Sequence, residues 1–170
     1  MLKKFTLYSF ALALVCLLSQ SSLFAQEKAS PPRTAEAEVN GKTITINYSS
    51  PSKKDRKIWD GLVKYDKVWR TGANEATTLE VSEDVKIGGK SLKKGKYAIF
   101  TIPNENSWTI IINSNPNQWG AYNYDKEMDV LRFDVKPNKN KLTEMFTISI
   151  SEAGLVTMAW DEVKVEFTIQ

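Results

Sequence analysis

The stretch A-E-A-E-V-N-G-K-T-I-T-I-N-Y, from Ala35 to Tyr48, decides the fold. Apolar and polar residues alternate on both sides of its centre, which is typical of a β-strand with one buried face. Asn40-Gly41 stands at the centre. Asn-Gly is the strongest short signal for a hairpin, because both central residues of a type I′ turn need positive φ. The stretch therefore predicts an antiparallel β-hairpin.

The same alternation returns along the rest of the chain, in short segments with a turn signal every ~8–12 residues. At most one short helical turn fits, within Ile58–Val68. This pattern predicts about ten short strands in an all-β, single-domain antiparallel β-sandwich, with a barrel as the alternative. The strands predicted after the hairpin are Thr77–Val81, Val85–Ile87, Tyr97–Ile102, Trp108–Ile112, Met128–Val135, Phe146–Ile150, Val156–Trp160 and Val163–Ile169.

Three local features add detail to this pattern. The segment Tyr97–Ile102 is apolar on both faces, which is typical of a central strand. Lys136–Lys141 is polar and contains Pro137, so we expect a turn there. The pair Asp161-Glu162 is expected to form the turn between the last two strands.

The N-terminus has the features of an export signal. Lys3 and Lys4 precede an apolar run, Leu7–Leu18, and the small residue Ala25 ends the segment. The run is shorter than the ~20 residues of a membrane span, so cleavage after Ala25 is favoured over a retained anchor. Because Gln26 stands where a lipid-anchored protein would need cysteine, we expect a soluble exported product, periplasmic or secreted. The predicted order is a signal peptide over residues 1–25, a flexible leader over 26–33 and a β-sandwich domain over 34–170.

Two absences limit the chemistry. The chain has no histidine, and its one cysteine, Cys16, lies in the predicted signal peptide. Ser-His-Asp and Cys-His catalysis are therefore excluded, as are zinc and copper sites built on imidazole and thiolate. We expect no metal and no cofactor. Because the signal peptide carries two lysines and no acid, its removal lowers the formal charge from +3 to +1. With no basic run beyond Lys53-Lys54 and Lys93-Lys94, no nucleic-acid partner is expected.

Two long segments depart from the alternation and are rich in aromatic residues. Asp55–Thr78, the first loop, contains two tryptophans and two arginines. Asn113–Glu127, the second loop, contains Trp119, Tyr122 and Tyr124. A plain linker would hold fewer aromatic residues and more Pro, Ser and Gly. Segments of this composition either pack onto the scaffold or line a site, so function is expected here.

Several motifs in and around these loops carry a resemblance. They are W-R-T-G-A-N-E-A-T at Trp69–Thr77, I-x-G-K-x-L-x-x-G-x-Y-A-I-F-T-I-P at Ile87–Pro103, W-T-I-I at Trp108–Ile111 and W-G at Trp119-Gly120. Together they resemble a family of exported bacterial proteins, mostly from Bacteroidota, catalogued as domain of unknown function 2911. The resemblance covers about Ser30 to Ile169. It implies a secreted or periplasmic β-rich domain, and it implies no substrate, cofactor or catalytic residue.

The first candidate site lies within that run. Trp69, Arg70, Asn74 and Glu75 offer a ring face, a fork of donors, an amide and an acceptor, which suits a small polar ligand or a glycan. The alternative is structural. Gly72 to Asn74 would then form a tight turn in which Asn74 bonds its own backbone, and Arg70 and Glu75 would form an internal ion pair.

The second loop offers an aromatic platform facing that site, made of Trp119, Tyr122 and Tyr124. The alternative is that these rings pack down as the loop's own small core. Two further tryptophans, Trp108 and Trp160, stand at core positions of predicted strands and are expected to be buried.

Carboxylates give two weaker hypotheses. Asp125, Glu127 and Asp129 have a D-x-E-x-D spacing that can offer oxygens to calcium, although a solvated acidic loop is the favoured interpretation. Glu75 would need a second acid about 5–9.5 Å away to hydrolyse a glycoside, and the sequence singles out none.

The function that these features favour is an exported, non-catalytic module that binds a small polar ligand, a glycan or an envelope partner through the two loops. A carboxylate-dependent, glycosidase-like hydrolase using Glu75 is the first alternative. A purely structural envelope protein is the second.

Overall fold

The computed structural model describes residues 29–170 of the chain. The predicted signal peptide and the start of the leader lie outside this part. Its only helix is a 3-10 turn of three residues, Lys126–Met128, so no helix of residues 29–170 could cross a membrane. The prediction of an all-β chain of about ten strands is confirmed. The strands are β1 (Pro32–Val39), β2 (Lys42–Ser49), β3 (Thr77–Val81), β4 (Val85–Ile87), β5 (Lys90–Leu92), β6 (Gly95–Ile102), β7 (Trp108–Asn113), β8 (Asp129–Val135), β9 (Asn138–Ile150) and β10 (Leu155–Thr168).

Six strands form one antiparallel sheet in the order β1-β2-β3-β6-β7-β8. The β9–β10 hairpin packs against it: the ring centroids of Tyr48 and Phe146 lie 5.7 Å apart, and the Ile148 amide donates to the Tyr48 hydroxyl at 3.0 Å. β4 and β5 form a separate ribbon. The arrangement is sandwich-like. The barrel alternative is wrong, because β1 and β8 each pair with a single neighbour among the described strands.

The main core lies between the six-stranded sheet and the β9–β10 hairpin. On β6, Ala98, Ile99 and Phe100 are all fully buried. Ile99 faces the main core, whereas Ala98 and Phe100 belong to a second apolar cluster on the other side of the sheet. Tyr124 of the second loop packs against that second cluster. The prediction that this strand is central and buried on both faces is confirmed.

Four of the five tryptophans meet in the main core. Trp59, Trp69, Trp108 and Trp160, here called the tryptophan cluster, lie with contacting ring centroids 4.8–6.3 Å apart. Phe146 packs against two of them. Edge-on aromatic pairs contribute about 0.5–1.5 kcal/mol each beyond their burial. Because Trp59 and Trp69 come from the first loop, that loop is part of the core. The predicted burial of Trp108 and Trp160 is confirmed.

One predicted turn is a bulge. β10 continues through Asp161-Glu162, and its register against β9 shifts on both sides of Asp161. The φ of Asp161 is 54°. An extra residue in one strand bends it without ending it, and bulges favour the same residues as turns. Similarly, β9 already begins at Asn138, inside the turn predicted over residues 136–141.

Two other boundaries also differ from the sequence prediction. β1 begins at Pro32, so Pro32 and Arg33 pair with β2 although the predicted leader included them. In place of the helical turn expected within residues 58–68, the chain makes a wide turn, in which the Leu62 and Val63 amides donate to the Lys57 and Ile58 carbonyls at 3.0 and 2.9 Å. A short apolar run of this kind fits a turn that packs one side chain inward as well as it fits a helix.

The tryptophan cluster predicts a large difference between two tryptophan variants. Trp160 is 1% exposed and Trp119 is 57% exposed. We expect Trp160→Ala to lower the free energy of unfolding by about 3–5 kcal/mol, because it leaves a cavity among packed rings. Trp119→Ala should change it by no more than about 0.5 kcal/mol. Urea unfolding followed by circular dichroism measures both, and equal losses would contradict the packing described.

Candidate functional site

The run Trp69–Thr77 begins with a buried anchor. The Trp69 amide donates to the Thr101 carbonyl at 2.7 Å, and the Thr101 amide donates back at 2.9 Å. Nε1 of Trp69 donates to the Gly72 carbonyl at 3.1 Å. The ring is 8% exposed, within the tryptophan cluster. Trp69 therefore fixes the first loop to β6, and it leaves little ring surface for the stacking role that the sequence suggested.

Thr71 adopts a backbone conformation that is rare for a β-branched residue. Its φ is 57°, and such strain costs on the order of 1–3 kcal/mol. Neighbours hold it in place: the hydroxyls of Thr71 and Thr101 lie 3.2 Å apart, and the Thr77 hydroxyl donates to the Thr71 carbonyl at 2.6 Å. Thr71 is fully buried. Strain that the surroundings maintain in this way is typical of functional loops.

The next three residues, Gly72, Ala73 and Asn74, pack and hydrogen-bond against the end of β2. The Ala73 amide donates to the Ser49 carbonyl at 3.2 Å, and a Cβ at Gly72 would stand 2.8 Å from the same oxygen, so only glycine fits. Nδ2 of Asn74 lies 3.2 Å from the Ser49 hydroxyl and 3.3 Å from the Ser30 carbonyl. The predicted bond of Asn74 to its own backbone is therefore replaced by bonds to β2 and to the residues before β1.

The Arg70 guanidinium makes no bond to the loop that carries it. Its Nε atom is buried without a hydrogen-bond partner, and its side chain forms no ion pair within residues 29–170. Glu75 is exposed and is likewise unpaired in this part of the chain. The ion pair predicted between Arg70 and Glu75 is therefore wrong. The physical reason is that the strained turn between them directs the two side chains into different pockets.

Arg70 and Asn74 line a pocket of about 650 Å³ between the residues that lead into the first loop and the run itself. Its apolar wall includes Leu62, Trp69 and Trp160, and its polar wall includes Ser52, Lys54, Arg56, Arg70 and Asn74. Sequence reasoning missed Ser52, Lys54 and Arg56. The available signal was the basic pair Lys53-Lys54, which is followed by Arg56 at the start of the aromatic first loop.

The second loop meets the first near Arg70. Glu75 and Trp119 form an antiparallel backbone bridge. Gly120 then lies between Arg70 and Tyr122, since a Cβ there would be 3.8 Å from Cδ of Arg70 and 3.3 Å from the Tyr122 ring. Trp119 is 57% and Tyr122 is 83% exposed. The structure thus places Gly120 close to both Tyr122 and Arg70, while neither exposed ring lines the pocket.

Tyr124 is turned inward, away from the predicted platform. Its ring centroid lies 5.1 Å from that of Phe100, and its hydroxyl donates to Oδ2 of Asp129 at 2.6 Å. Nη1 of Arg132 donates to the same Asp129 oxygen at 2.8 Å and to the Tyr124 oxygen at 3.0 Å. Burial and the bond to Asp129 raise the pKa of Tyr124 to about 12. Tyr124 thus packs inward, although onto β6 and not within a core of the loop itself, and the Asp129–Arg132 pair that holds it gave no signal in the sequence.

Two of the three acidic residues with the D-x-E-x-D spacing are engaged in hydrogen bonds within the protein. Asp125 accepts the Glu127 amide at 2.9 Å, which caps the 3-10 turn. Asp129 is occupied by Arg132 and Tyr124. Among residues 29–170 no three acidic, histidine or cysteine side chains come together as a metal site. The calcium interpretation gains no support from this geometry.

Glu75 lines a separate recess of about 420 Å³ on β1, β2 and β3. It is the only acidic residue among the described residues that line this recess. Glycoside hydrolysis needs two carboxyl groups about 5–9.5 Å apart. This recess therefore supplies no second acid for the hydrolase alternative.

A comparison with known protein families gives one match. The family model described as "Protein of unknown function (DUF2911)" matches residues 30–169, nearly the same segment that the motifs indicated, so the resemblance is confirmed. No curated protein matches the chain, and no solved structure does. The expected origin in Bacteroidota stays a prediction.

The raised pKa of Tyr124 predicts a loss of stability at high pH. A phenol whose pKa rises from its ordinary value of 10.0 to about 12 on folding contributes stability below pH 10. That contribution is lost as the pH rises towards 12. We expect the free energy of unfolding to fall over this interval, and to fall less in Tyr124→Phe. Urea unfolding at several pH values measures the effect, with Tyr122→Phe as the exposed control. An identical fall in Tyr124→Phe and the parent protein would contradict the assignment.

Proposed function

We propose that this chain, which belongs to the DUF2911 family of proteins of unknown function, is an exported module that binds a small polar ligand or glycan. The site is the pocket beside Arg70. One observation carries the proposal: a strained and heavily bonded loop holds Arg70 at a pocket while its buried Nε has no partner. A buried donor without a partner costs about 1–3 kcal/mol. A ligand that accepts its hydrogen bond would remove that cost.

The pocket has the size and lining of a small-molecule site. Its volume of about 650 Å³ lies within the ~300–1,000 Å³ typical of ligand pockets. Such pockets combine an apolar wall with a few fixed polar groups. Hydrogen bonds to Ser49 and Ser30 fix the Asn74 side chain. One polar group of the pocket is therefore held in place before a ligand arrives.

A purely structural role explains only part of this loop. The anchoring of Trp69 and the close approach of Gly72 to β2 stabilise the fold whether or not a ligand binds. A purely structural loop would, however, pair or expose Arg70, since buried polar groups are nearly always bonded. The unpartnered Nε atom therefore favours binding over scaffolding.

Export is part of the proposal and rests on the sequence of residues 1–25. Their charged start, apolar run and small terminal residue are typical of a signal peptide. A ligand of the pocket would then be a molecule of the periplasm or of the surroundings of the cell.

The proposal predicts where a bound probe perturbs the protein. We expect glucuronate or glucose, titrated into ¹⁵N-labelled protein, to shift the backbone amides of Ser52, Arg70 and Asn74. Asn74→Gly, which keeps the positive φ, should weaken binding about two- to tenfold, the value of one neutral hydrogen bond. Trp119→Ala is the matched control and should bind like the parent. Shifts confined to residues 119–122, or no shifts with either probe, would contradict the proposed site.

A further inference from the structure

We infer that the pocket beside Arg70 selects an anionic ligand, one that carries a carboxylate or a phosphate group. This inference rests on the binding function proposed above and adds the chemical class of the ligand. Three basic side chains, Lys54, Arg56 and Arg70, line the pocket, and no acidic residue lines it among residues 29–170. The chain as a whole carries nearly equal numbers of basic and acidic residues. The positive charge is therefore a local property of this pocket.

These three cations are not neutralised by partners. Within the described chain, none of them forms an ion pair. Arg56 donates from Nε to the Lys53 carbonyl at 3.1 Å and from Nη2 to the Ser52 carbonyl. Those bonds are to neutral groups, so they fix the guanidinium without placing it in an ion pair.

One acid that acts on this wall is Glu144, and it is already engaged. Its Oε1 accepts the Ser52 hydroxyl at 2.6 Å and the Lys54 amide at 2.7 Å. These two bonds lower the pKa of Glu144, so it stays charged at neutral pH. It holds the backbone that presents Lys54 and Arg56, and its charge offsets part of the charge of Arg56. Because three cations and no acid line the pocket among residues 29–170, the wall stays positive.

Arg70 supplies geometry as well as charge. A guanidinium offers a planar fork of donors that matches a carboxylate or phosphate with two parallel hydrogen bonds. In Arg70 the Nε edge of that fork is buried and unbonded. A planar anion that reaches this edge would satisfy the buried donor and would meet charge of the opposite sign.

The aromatic residues of the pocket argue against neutral sugars as the preferred ligands. Recognition of a neutral sugar relies on an open ring face beneath it. Trp69 and Trp160 are 8% and 1% exposed, so both faces are covered by other core residues. The large exposed apolar side chain of the wall is Leu62, at 49%, and it has no ring. Charge is therefore the stronger source of selectivity here.

Three probes that share one ring test the inference. Glucose, glucuronate and glucose 6-phosphate differ at carbon 6 in being neutral, a carboxylate or a phosphate ester. By calorimetric titration we expect both anions to bind at least about tenfold more tightly than glucose, the value of one charge-assisted hydrogen bond. Comparison of glucuronate with glucose 6-phosphate shows whether a carboxylate or a phosphate fits the pocket better. Anion binding should also weaken from about 10 mM to about 150 mM salt, because screening shortens the Debye length to about 8 Å.

Substitutions show which basic side chains of the pocket contribute to the affinity for anions. Arg70→Gln should lower the affinity for both anions about tenfold or more while leaving the affinity for glucose nearly unchanged. Lys54→Gln should lower anion affinity severalfold. Lys57→Gln, which removes an exposed lysine outside the pocket wall, is the matched control and should have no effect. Two of these variants keep the test valid even if Arg70→Gln does not fold. Arg70→Lys keeps the positive charge and removes the planar fork of donors. Lys54→Gln replaces an exposed residue.

The outcomes separate the two proposals. Glucose binding as tightly as the anions, with no loss in Lys54→Gln, would overturn the anionic selectivity and leave the binding function standing. Absence of binding by all three probes would overturn both. A preference for the anions that persists in Arg70→Gln, Arg70→Lys and Lys54→Gln would place their site elsewhere and overturn the assignment to this pocket.

Discussion

The burial of Trp69 is the constraint on which the rest of the structure depends. Its ring lies in the tryptophan cluster, and its backbone exchanges two hydrogen bonds with Thr101 on β6. A loop of this length without secondary structure would ordinarily lie over the surface and move. Here the large apolar area of the ring is buried, and the paired backbone bonds fix its direction. The first loop is consequently a part of the core that also reaches the surface.

The candidate site follows from that anchor. Between Trp69 and Thr77 the chain makes a turn so tight that Thr71 takes a strained conformation and Gly72 touches β2. The turn brings Arg70 and Asn74 to the wall of one pocket and sends Glu75 to another. Because the scaffold holds the strain, the Arg70 guanidinium can be presented with a donor that nothing in the loop satisfies. One run of residues therefore contains both the anchor of the loop and two side chains that line a pocket.

Period-two alternation made the sandwich-like fold predictable, because apolar and polar residues alternate along a strand that buries one face. The bulge at Asp161 was not predictable in this way, since a bulge and a turn favour the same residues. The motif identified a loop whose residues line a pocket. It did not reveal where Arg70 and Glu75 point, because this depends on backbone angles that no periodicity encodes. The interaction of Tyr124 with Arg132 was not predictable for a related reason. The two residues meet through Asp129, in a contact between the second loop and β8 that sequence spacing alone does not show.

Hydrogen exchange at the amides of Trp69, Ala73 and Thr77 tests the central claim, that the first loop is a fixed part of the core. These amides donate to the carbonyls of Thr101, Ser49 and Arg70. If the loop opens only when the whole domain unfolds, they will exchange as slowly as the amides of β6 and β7, with an opening free energy equal to that of global unfolding. Exchange that is faster by orders of magnitude would reveal local opening. That result would contradict the account, because a loop that opens independently cannot hold Arg70 in a preformed pocket.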